Sequence, residues 1–220
     1  MAAGGGFLEA VPAEDVRSVR AAMRRRRFAK GEVIFHEGDP GDTLHLVEKG
    51  HVAIRATTTL GDTATFAILG PGDTFGELTL LLDHGHRTAS AVALDAAETL
   101  SMGRPLFEEL RSKGPAVDRF LQAVLAAQVE RLSAHLLDAL HVPSDKRIVR
   151  RLGDAVEAFG LADAPGEPIP LTQDDLASLA GTTRPTVNRL LKALERDGVV
   201  TVARGKVAVL DADALARRGR

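Results

Sequence analysis

Between Gly31 and Met102 the apolar residues fall in short runs, VIF, LHLV, VAI, ATFAIL and ASAVAL. The runs are separated by EGDPGD, EKG, LGD and GPGD, so Gly and Asp recur at turn positions. Short apolar runs between turn clusters predict an all-β sandwich or barrel of short strands. On either side of this region the period changes. Over residues 12–27, Val16, Val19, Ala22 and Met23 share one helical face, and RRRR at 24–27 reads as a solvated end of that helix, where positive charge suits the dipole. From Pro105 to about Leu140 the period is again helical, and FLQAVLAAQVERLSAHLLDAL contains no Gly or Pro. Leu125, Val129, Leu132, Leu136 and Ala139 recur with the alternating four–three spacing of a heptad seam, which predicts self-pairing of this helix. Leu121, Val124, Leu137 and Leu140 are then left to cover the β region.

Pro143 stops the long helix, and Ser144 or Asp145 is placed to cap a further helix over 146–159. GLADAPGEPIP ends that helix as a loop. The next stretch, LTQDDLASLAGTTRPTVNRLLKALERD at 171–197, has the spacing of two helices joined by a tight turn. Thr172 caps the first, Gly181 permits the turn, and Thr183 caps the second, with Pro185 near its start. Leu176, Leu179 and Ala180 bury the first helix, and Val187, Leu190, Leu191 and Leu194 the second. The outward face of the second shows Arg184, Asn188, Arg189, Lys192 and Arg196. GVVTVARGKVAVL adds two short strands around a basic turn. A basic second helix with a basic wing is the pattern of a winged helix-turn-helix that reads DNA.

Charge agrees with that assignment. Residues 1–143 carry 15 Lys/Arg and 19 Asp/Glu, net −4, whereas residues 144–220 carry 13 and 11, net +2. A large anionic partner therefore belongs to the C-terminal end. The chain has no cysteine, which excludes disulfides, cysteine-ligated zinc, iron–sulfur clusters and thiol catalysis. No apolar run reaches the roughly 18 residues that span a membrane, and the N-terminus lacks the pattern of a signal peptide. The expectation is a cytoplasmic protein with no membrane partner. No Ser/His/Asp or paired-carboxylate constellation is readable, so no enzyme activity is expected.

One stretch, FGELTLLLDHGHRTAS at 75–90, sets a Gly-Glu pair ten residues before an arginine. A buried acid–base pair between Glu77 and Arg87 is one reading, and a clamp on a small anionic ligand is the other. The HGH at 84–86 has no nearby cysteine and no third ligand at helical spacing, so it reads as solvated loop histidines; neither metal nor haem is expected.

Taken in order, GEVIFHEGDPGDTLHLVEKGHVAI, FGELTLLLDHGHRTAS, the long helix and LTQDDLASLAGTTRPTVNRLLKALERDGVV resemble the CRP/FNR superfamily of bacterial transcription regulators over residues 7–215. The resemblance implies an α+β fold: a β-roll sensory domain (double-stranded β-helix, cupin-like) over 1–115, a dimerisation helix and hinge over 116–142, and a winged helix-turn-helix over 143–220. It implies a homodimer gated by a cyclic nucleotide, with cyclic AMP (cAMP) the leading effector, and with RNA polymerase and a near-palindromic double-stranded DNA operator as partners. The stretch at 75–90 then looks like a phosphate-binding cassette. Arg87 would pair with the cyclic phosphate, Glu77 would accept the ribose 2′-hydroxyl, Gly76 and Leu78 would approach by their backbone, and Thr88 would add a hydroxyl. Arg131 matches a family arginine that could pair with Glu77. Alignment on Arg131-Leu132 puts His135 and Leu136 where cAMP binders carry Thr-Ser or Thr-Asn to read the base. On the DNA side the resemblance implies contacts from Thr172, Gln173, Thr183, Arg184, Pro185, Thr186, Asn188, Arg189, Lys192, Arg204 and Lys206. Pro185 stands where the family commonly has glutamate, which relaxes base choice at one position. Two other functions stay open: a regulator that binds DNA without ligand, and a nucleotide-binding module acting through protein partners. The basic second helix argues against the latter.

Overall fold

The computed structural model describes residues 7–11, 13–59, 61–82 and 85–220, except for the side chains of residues 9 and 10. The chain divides into two compact units, one of residues 1–56 and 69–131 and one of residues 57–68 and 132–220.

The first unit begins with helices α1 (Phe7–Ala10) and α2 (Val16–Ala22). RRRR does not extend α2: Met23 is already extended, and Arg24–Phe28 forms strand β1. This corrects the helical reading of 24–27. Strand pairing outweighs helix propensity here, because β1 finds a partner in a later strand, β8 (Ala97–Gly103), in antiparallel register from Arg24↔Ser101 to Phe28↔Ala97. Acids on that side match the charges: Arg25 pairs with Glu48 at 2.8 Å and Glu98 at 3.1 Å, and Arg27 with Glu98 at 3.3 Å. An edge strand lined with arginine also resists pairing with another chain.

Between them run β2 (Val33–Phe35), β3 (Thr43–Lys49), β4 (Val52–Thr57), β5 (Thr63–Leu69), β6 (Thr74–Phe75), the one-turn helix α3 (Leu78–Leu81) and β7 (Ser90–Ala93). Within this unit one antiparallel sheet has the order β1-β8-β3-β6 and a second joins β2, β7 and β4 in that order, the two-sheet roll that the short-strand pattern predicts. On β3, Leu44, His45, Leu46 and Val47 are all buried, so both faces of this strand are covered. Leu44 and Leu46 join Leu80, Leu100 and Met102 with Phe7, Val19, Met23, Phe107, Leu110, Val117 and Leu121 in a hydrophobic core under the helices.

Helix α4 (Arg104–Ser112) leads through Lys113-Gly114-Pro115 into α5 (Ala116–His141). Val117 and Leu121 anchor α5 in the core. Further along, Val129, Leu132, Leu136, Leu137 and Leu140 are 45–66% exposed. Leu137 and Leu140, which the spacing assigned to cover the β region, are 61% and 66% exposed.

In the second unit α6 (Ser144–Ala158) buries Ile148, Val149, Leu152, Ala155 and Val156. Its N-cap position is Pro143, without a side-chain cap, so the expected capping by Ser144 or Asp145 is not made. Strand β9 (Pro168–Ile169), helices α7 (Gln173–Ala180) and α8 (Arg184–Arg196), and strands β10 (Val200–Ala203) and β11 (Lys206–Val209) follow. The three strands form a sheet of order β10-β11-β9. A last helix, α9 (Ala212–Gly219), was not legible in the sequence pattern. Asp138 of α5 is held by Arg150 and Arg151 of α6 at 2.5 Å each, and Arg150 also donates to the Gly219 carbonyl at 2.7 Å, so α5, α6 and α9 are tied across the Pro143 break.

Candidate functional site

The loop before β3 and the segment before β7 are laced by backbone bonds. Gly38 N–H donates to the Arg87 carbonyl (2.8 Å), Arg87 N–H to the Asp39 carbonyl (2.9 Å), and Gly41 N–H to the Gly85 carbonyl (2.9 Å). This lacing carries the Arg87 side chain into the roll, where the residue is only 6% exposed. Its Nη1 donates to the carbonyls of Thr43 (2.7 Å) and Gly76 (3.1 Å) and to Thr79 Oγ1 (3.0 Å), and its Nη2 donates to Thr43 Oγ1 (2.7 Å). The guanidinium lies 4.0 Å over the Phe35 ring, a cation–π contact. Its Nε is buried without a partner. Burial opposes the charge and pushes the pKa down, while Asp42, Glu77 and Asp39 act the other way.

Gly76 shows why the sequence needs glycine at the cassette. Its φ is 80°, and a Cβ there would lie 2.6 Å from Arg87 Nη1 and 2.9 Å from the Thr43 carbonyl. Gly41 is as crowded, with a Cβ falling 2.7 Å from Arg87 Cζ.

Glu77 is 3% exposed. It makes no ion pair with Arg87 among the described residues, so the acid–base alternative for this stretch is not what the fold adopts. Glu77 Oε1 accepts from Gln128 Nε2 of α5 at 3.1 Å, and its Oε2 is buried without a partner. Burial pushes its carboxyl above the usual range; the backbone, Gln128 and Arg87 only partly offset this. The expected pairing with Arg131 is thus replaced by one with Gln128, three residues earlier and almost one turn back. Burial pushes the Asp73 carboxyl up, and the Gly70 N–H and the charge of Arg131 partly offset this. Alignment by sequence could not set this register, because the rotation of α5 is decided by where Val117 and Leu121 pack. Leu78 is half-buried and Thr88 exposed. His135 is half-buried on α5, and Leu136 is 60% exposed. His84 lies outside the described residues; His86 is exposed, with Nδ1 3.0 Å from the Gly38 carbonyl. No group of three or more metal-ligating side chains occurs among the described residues.

Two residues not singled out in the sequence pack beside the cassette. Arg104 donates to the carbonyls of Thr79 (2.7 Å) and Leu80 (3.1 Å), closing the end of α3. His45 stacks on Phe75 with centroids 5.0 Å apart and planes at 16°. A lone histidine in an apolar run gave no signal that it would face a charged group.

In the second unit Thr172 forms the expected capping box: its Oγ1 accepts from Asp175 N–H (3.1 Å), and Asp175 accepts from Thr172 N–H (2.7 Å). Gly181 closes α7 in the left-handed region at φ 57°. Arg147 then donates to the carbonyls of Ala180, Gly181 and Val142, fixing the turn. Thr183 stands at the N-cap of α8, but its hydroxyl meets Thr186 Oγ1 (3.0 Å) rather than the backbone. Val187, Leu191 and Leu194 are buried, while Arg184, Pro185, Arg189, Lys192 and Arg196 are exposed. Leu190, Asn188 and Thr186 are half-buried. A groove of about 340 Å³ brings Thr172, Gln173 and Arg184 together with Arg204 of the β10–β11 turn and Lys206 at the start of β11. Arg184 pairs with Asp174 at 3.3 Å and Arg189 with Asp145 at 3.1 Å. All four side chains are at least half exposed, so each pair holds by less than about 1 kcal/mol and yields readily to a phosphate or a base.

One chain thus carries a roll that buries an acid and a guanidinium on one cassette and a winged helix-turn-helix with a basic exposed helix. Comparison with known proteins agrees. Residues 25–113 match the cyclic nucleotide-binding domain family, and residues 130–218 match the Crp-like helix-turn-helix domain family. The chain is 36% identical over 209 residues to the cyclic AMP receptor protein of Thermus thermophilus, covering 95% of this chain and 94% of that one. It is 29% identical over 217 residues to the CRP-like cAMP-activated global transcriptional regulator of Mycobacterium tuberculosis, covering 98% and 96%. Among solved structures, the Thermus thermophilus catabolite activator protein superposes with a TM-score of 0.54 at 35% identity, over 97% of each chain. The c-di-GMP responsive regulator CLP of Xanthomonas campestris has a TM-score of 0.77 at 24% identity, over 91% of this chain and 100% of that one, a likeness of fold alone. The chain belongs to the CRP/FNR family: it is a DNA-binding transcription regulator with a cyclic nucleotide-binding domain.

Proposed function

We propose that this chain is a homodimeric regulator whose DNA binding is gated by a cyclic nucleotide, cAMP first among them. The observation that carries the reading is that Glu77 and Arg87 are both buried on one cassette, each with a polar atom left unpartnered. A buried unsatisfied polar group is costly. One molecule bearing both a hydroxyl and a phosphate relieves both, the hydroxyl donating to Glu77 and the phosphate oxygens accepting from Arg87. The cAMP receptor and cAMP-activated regulator among its relatives support the choice of nucleotide. Because Gln128 takes the place expected for Arg131, the same spacing along α5 moves the base-reading positions from His135 and Leu136 to Leu132 and Ser133. Ser133 then supplies a hydroxyl that Leu136 lacks.

The apolar stripe at Val129, Leu132, Leu136, Leu137 and Leu140 supports pairing of two α5 helices. Two α8 helices would then enter successive major grooves about 34–36 Å apart, on a near-palindromic operator. Arg184 and Arg189 would face guanines, with Lys192, Arg204 and Lys206 on phosphates. Recruitment of RNA polymerase in the cytoplasm completes the reading. One observation favours DNA binding without ligand: in this fold Thr43, Gly76 and Thr79 already accept from Arg87. Anisotropy of operator DNA selected from a random pool separates the two. cAMP should tighten binding in the wild type and not in Arg87→Ala, with cyclic GMP and c-di-GMP as comparison effectors. DNA affinity that no nucleotide changes would establish the ligand-independent reading.

A further inference from the structure

His45 is buried in the roll, its ring in a cluster with Phe75 (5.0 Å, stacked) and Phe35 (6.0 Å, tilted), which also touch each other (5.8 Å), and Phe35 carries the Arg87 guanidinium. Thr43 and His45 are two apart on β3, so their side chains share a face of the strand. The Thr43 hydroxyl oxygen accepts from Arg87 Nη2 at 2.7 Å. It lies 3.4 Å from His45 Nε2, and His45 Nδ1 lies 3.2 Å from Thr99 Oγ1. An arginine can only donate, so the Thr43 proton must go elsewhere. The acceptor beside it is His45 Nε2. That leaves the ring proton on Nδ1, donated to Thr99. The chain then runs in one direction: Arg87 to Thr43, Thr43 to His45, His45 to Thr99.

We infer that His45 is a positioning residue for the phosphate clamp: as the Nδ1–H tautomer it takes the Thr43 hydroxyl proton and so turns the oxygen lone pair of Thr43 onto Arg87. The inference rests on the reading of Arg87 as the ligand's phosphate partner. A protonated ring would reverse the chain. Nε2 would become a donor aimed at Thr43, whose own proton would lose its acceptor, and a second cation would stand beside the guanidinium. The surroundings prevent this. Burial, then Arg87 and Arg26, push the imidazole down to about 3, so the ring is neutral at pH 7. A hydrogen bond held in this way fixes the guanidinium plane before ligand arrives, which reduces the ordering cost of binding.

Two measurements test this without any ligand. In full-length protein with ¹⁵N-labelled histidine, His45 should be neutral with the proton on Nδ1 at pH 7; a proton on Nε2, or an imidazolium, overturns the inference. The side-chain N–H groups of Arg87 should exchange slowly in the wild type and in His45→Gln, whose carbonyl can accept from Thr43. They should exchange faster in His45→Phe, which keeps the stacking but has no acceptor; unchanged exchange in that folded variant overturns the inference. Calorimetry with cAMP, and with adenosine as a probe lacking phosphate, gives the functional arm. His45→Phe should lose about fivefold for cAMP and nothing for adenosine, with recovery in His45→Gln. Equal loss for both probes marks a structural role only and sinks the inference. A wild type that binds neither probe refutes the nucleotide reading instead, and the tautomer and exchange measurements still decide the role of His45.

Discussion

Glu77→Gln separates what the cassette needs for stability from what it needs for ligand. Glu77 carries a buried carboxyl with one side-chain hydrogen bond, from Gln128, and one oxygen without a partner. Burial raises its pKa despite the attraction of Arg87, so desolvation outweighs all favourable contacts to the charged form. An unsatisfied buried group of this kind costs about 1–3 kcal/mol. The amide removes the charge but brings its own N–H groups, so a net gain near the lower limit, about 1 kcal/mol, is expected, or about 2–4 °C in Tm for a chain of this size. The sign with pH follows from proton uptake. Because the folded pKa lies above the unfolded value of 4.5, the native state binds the extra proton between the two. Wild-type stability from this group is therefore present at low pH and is lost as pH rises through the folded pKa. The advantage of Glu77→Gln should grow as pH rises above 4.5 and fade as pH falls towards it. Affinity should move the other way: a neutral amide oxygen accepts the ribose hydroxyl less strongly than a carboxylate, a loss of about three- to tenfold for cAMP. Thermal melts of the unliganded protein across pH and calorimetry with cAMP read both quantities. A variant less stable than wild type at pH 7.5, or a difference independent of pH, refutes the reasoning.

The remaining predictions concern other parts of the chain. Leu136→Asp changes a residue that is 60% exposed, so the fold should persist while sedimentation at micromolar concentration shows monomers; a wild type that is itself monomeric refutes the α5 pairing. Arg189→Ala should relax one base pair per half-site, at about 1–3 kcal/mol of discrimination, whereas Lys192→Ala should weaken all sequences alike and lower the salt slope by about one. His45 adds a pH dependence of opposite sign to that of Glu77. Its folded pKa is about 3, below the unfolded 6.5, so its contribution is complete above pH 6.5 and declines as pH falls towards 3. At pH 5 the deficit should be about 2 kcal/mol, taking 1.36 kcal/mol per pH unit, and denaturant melts of His45→Phe should lack that part of the acid sensitivity.

Much of this protein was readable from local pattern. The capping box at Thr172, the αL turn at Gly181 and the buried series Val187, Leu191 and Leu194 depend on neighbours three or four residues away, and the structure has them as the spacing predicts. Glu77 and Arg87 could be selected as a pair because both lie within one short stretch, which the two-sheet roll folds together. What the pattern could not decide depends on contacts distant in the chain. RRRR at 24–27 is a strand because β8, more than seventy residues later, offers it hydrogen bonds and Glu98. Gln128, not Arg131, reaches Glu77 because the packing of Val117 and Leu121 sets the rotation of α5, and a helix turned by three residues presents a different side chain to the same pocket. His45 is one apolar-run residue in sequence. It gains a role only when β3 and β8 are paired and the cassette brings Arg87 to Thr43, since hydrogen-bond direction is a property of the assembled neighbours and not of any one of them.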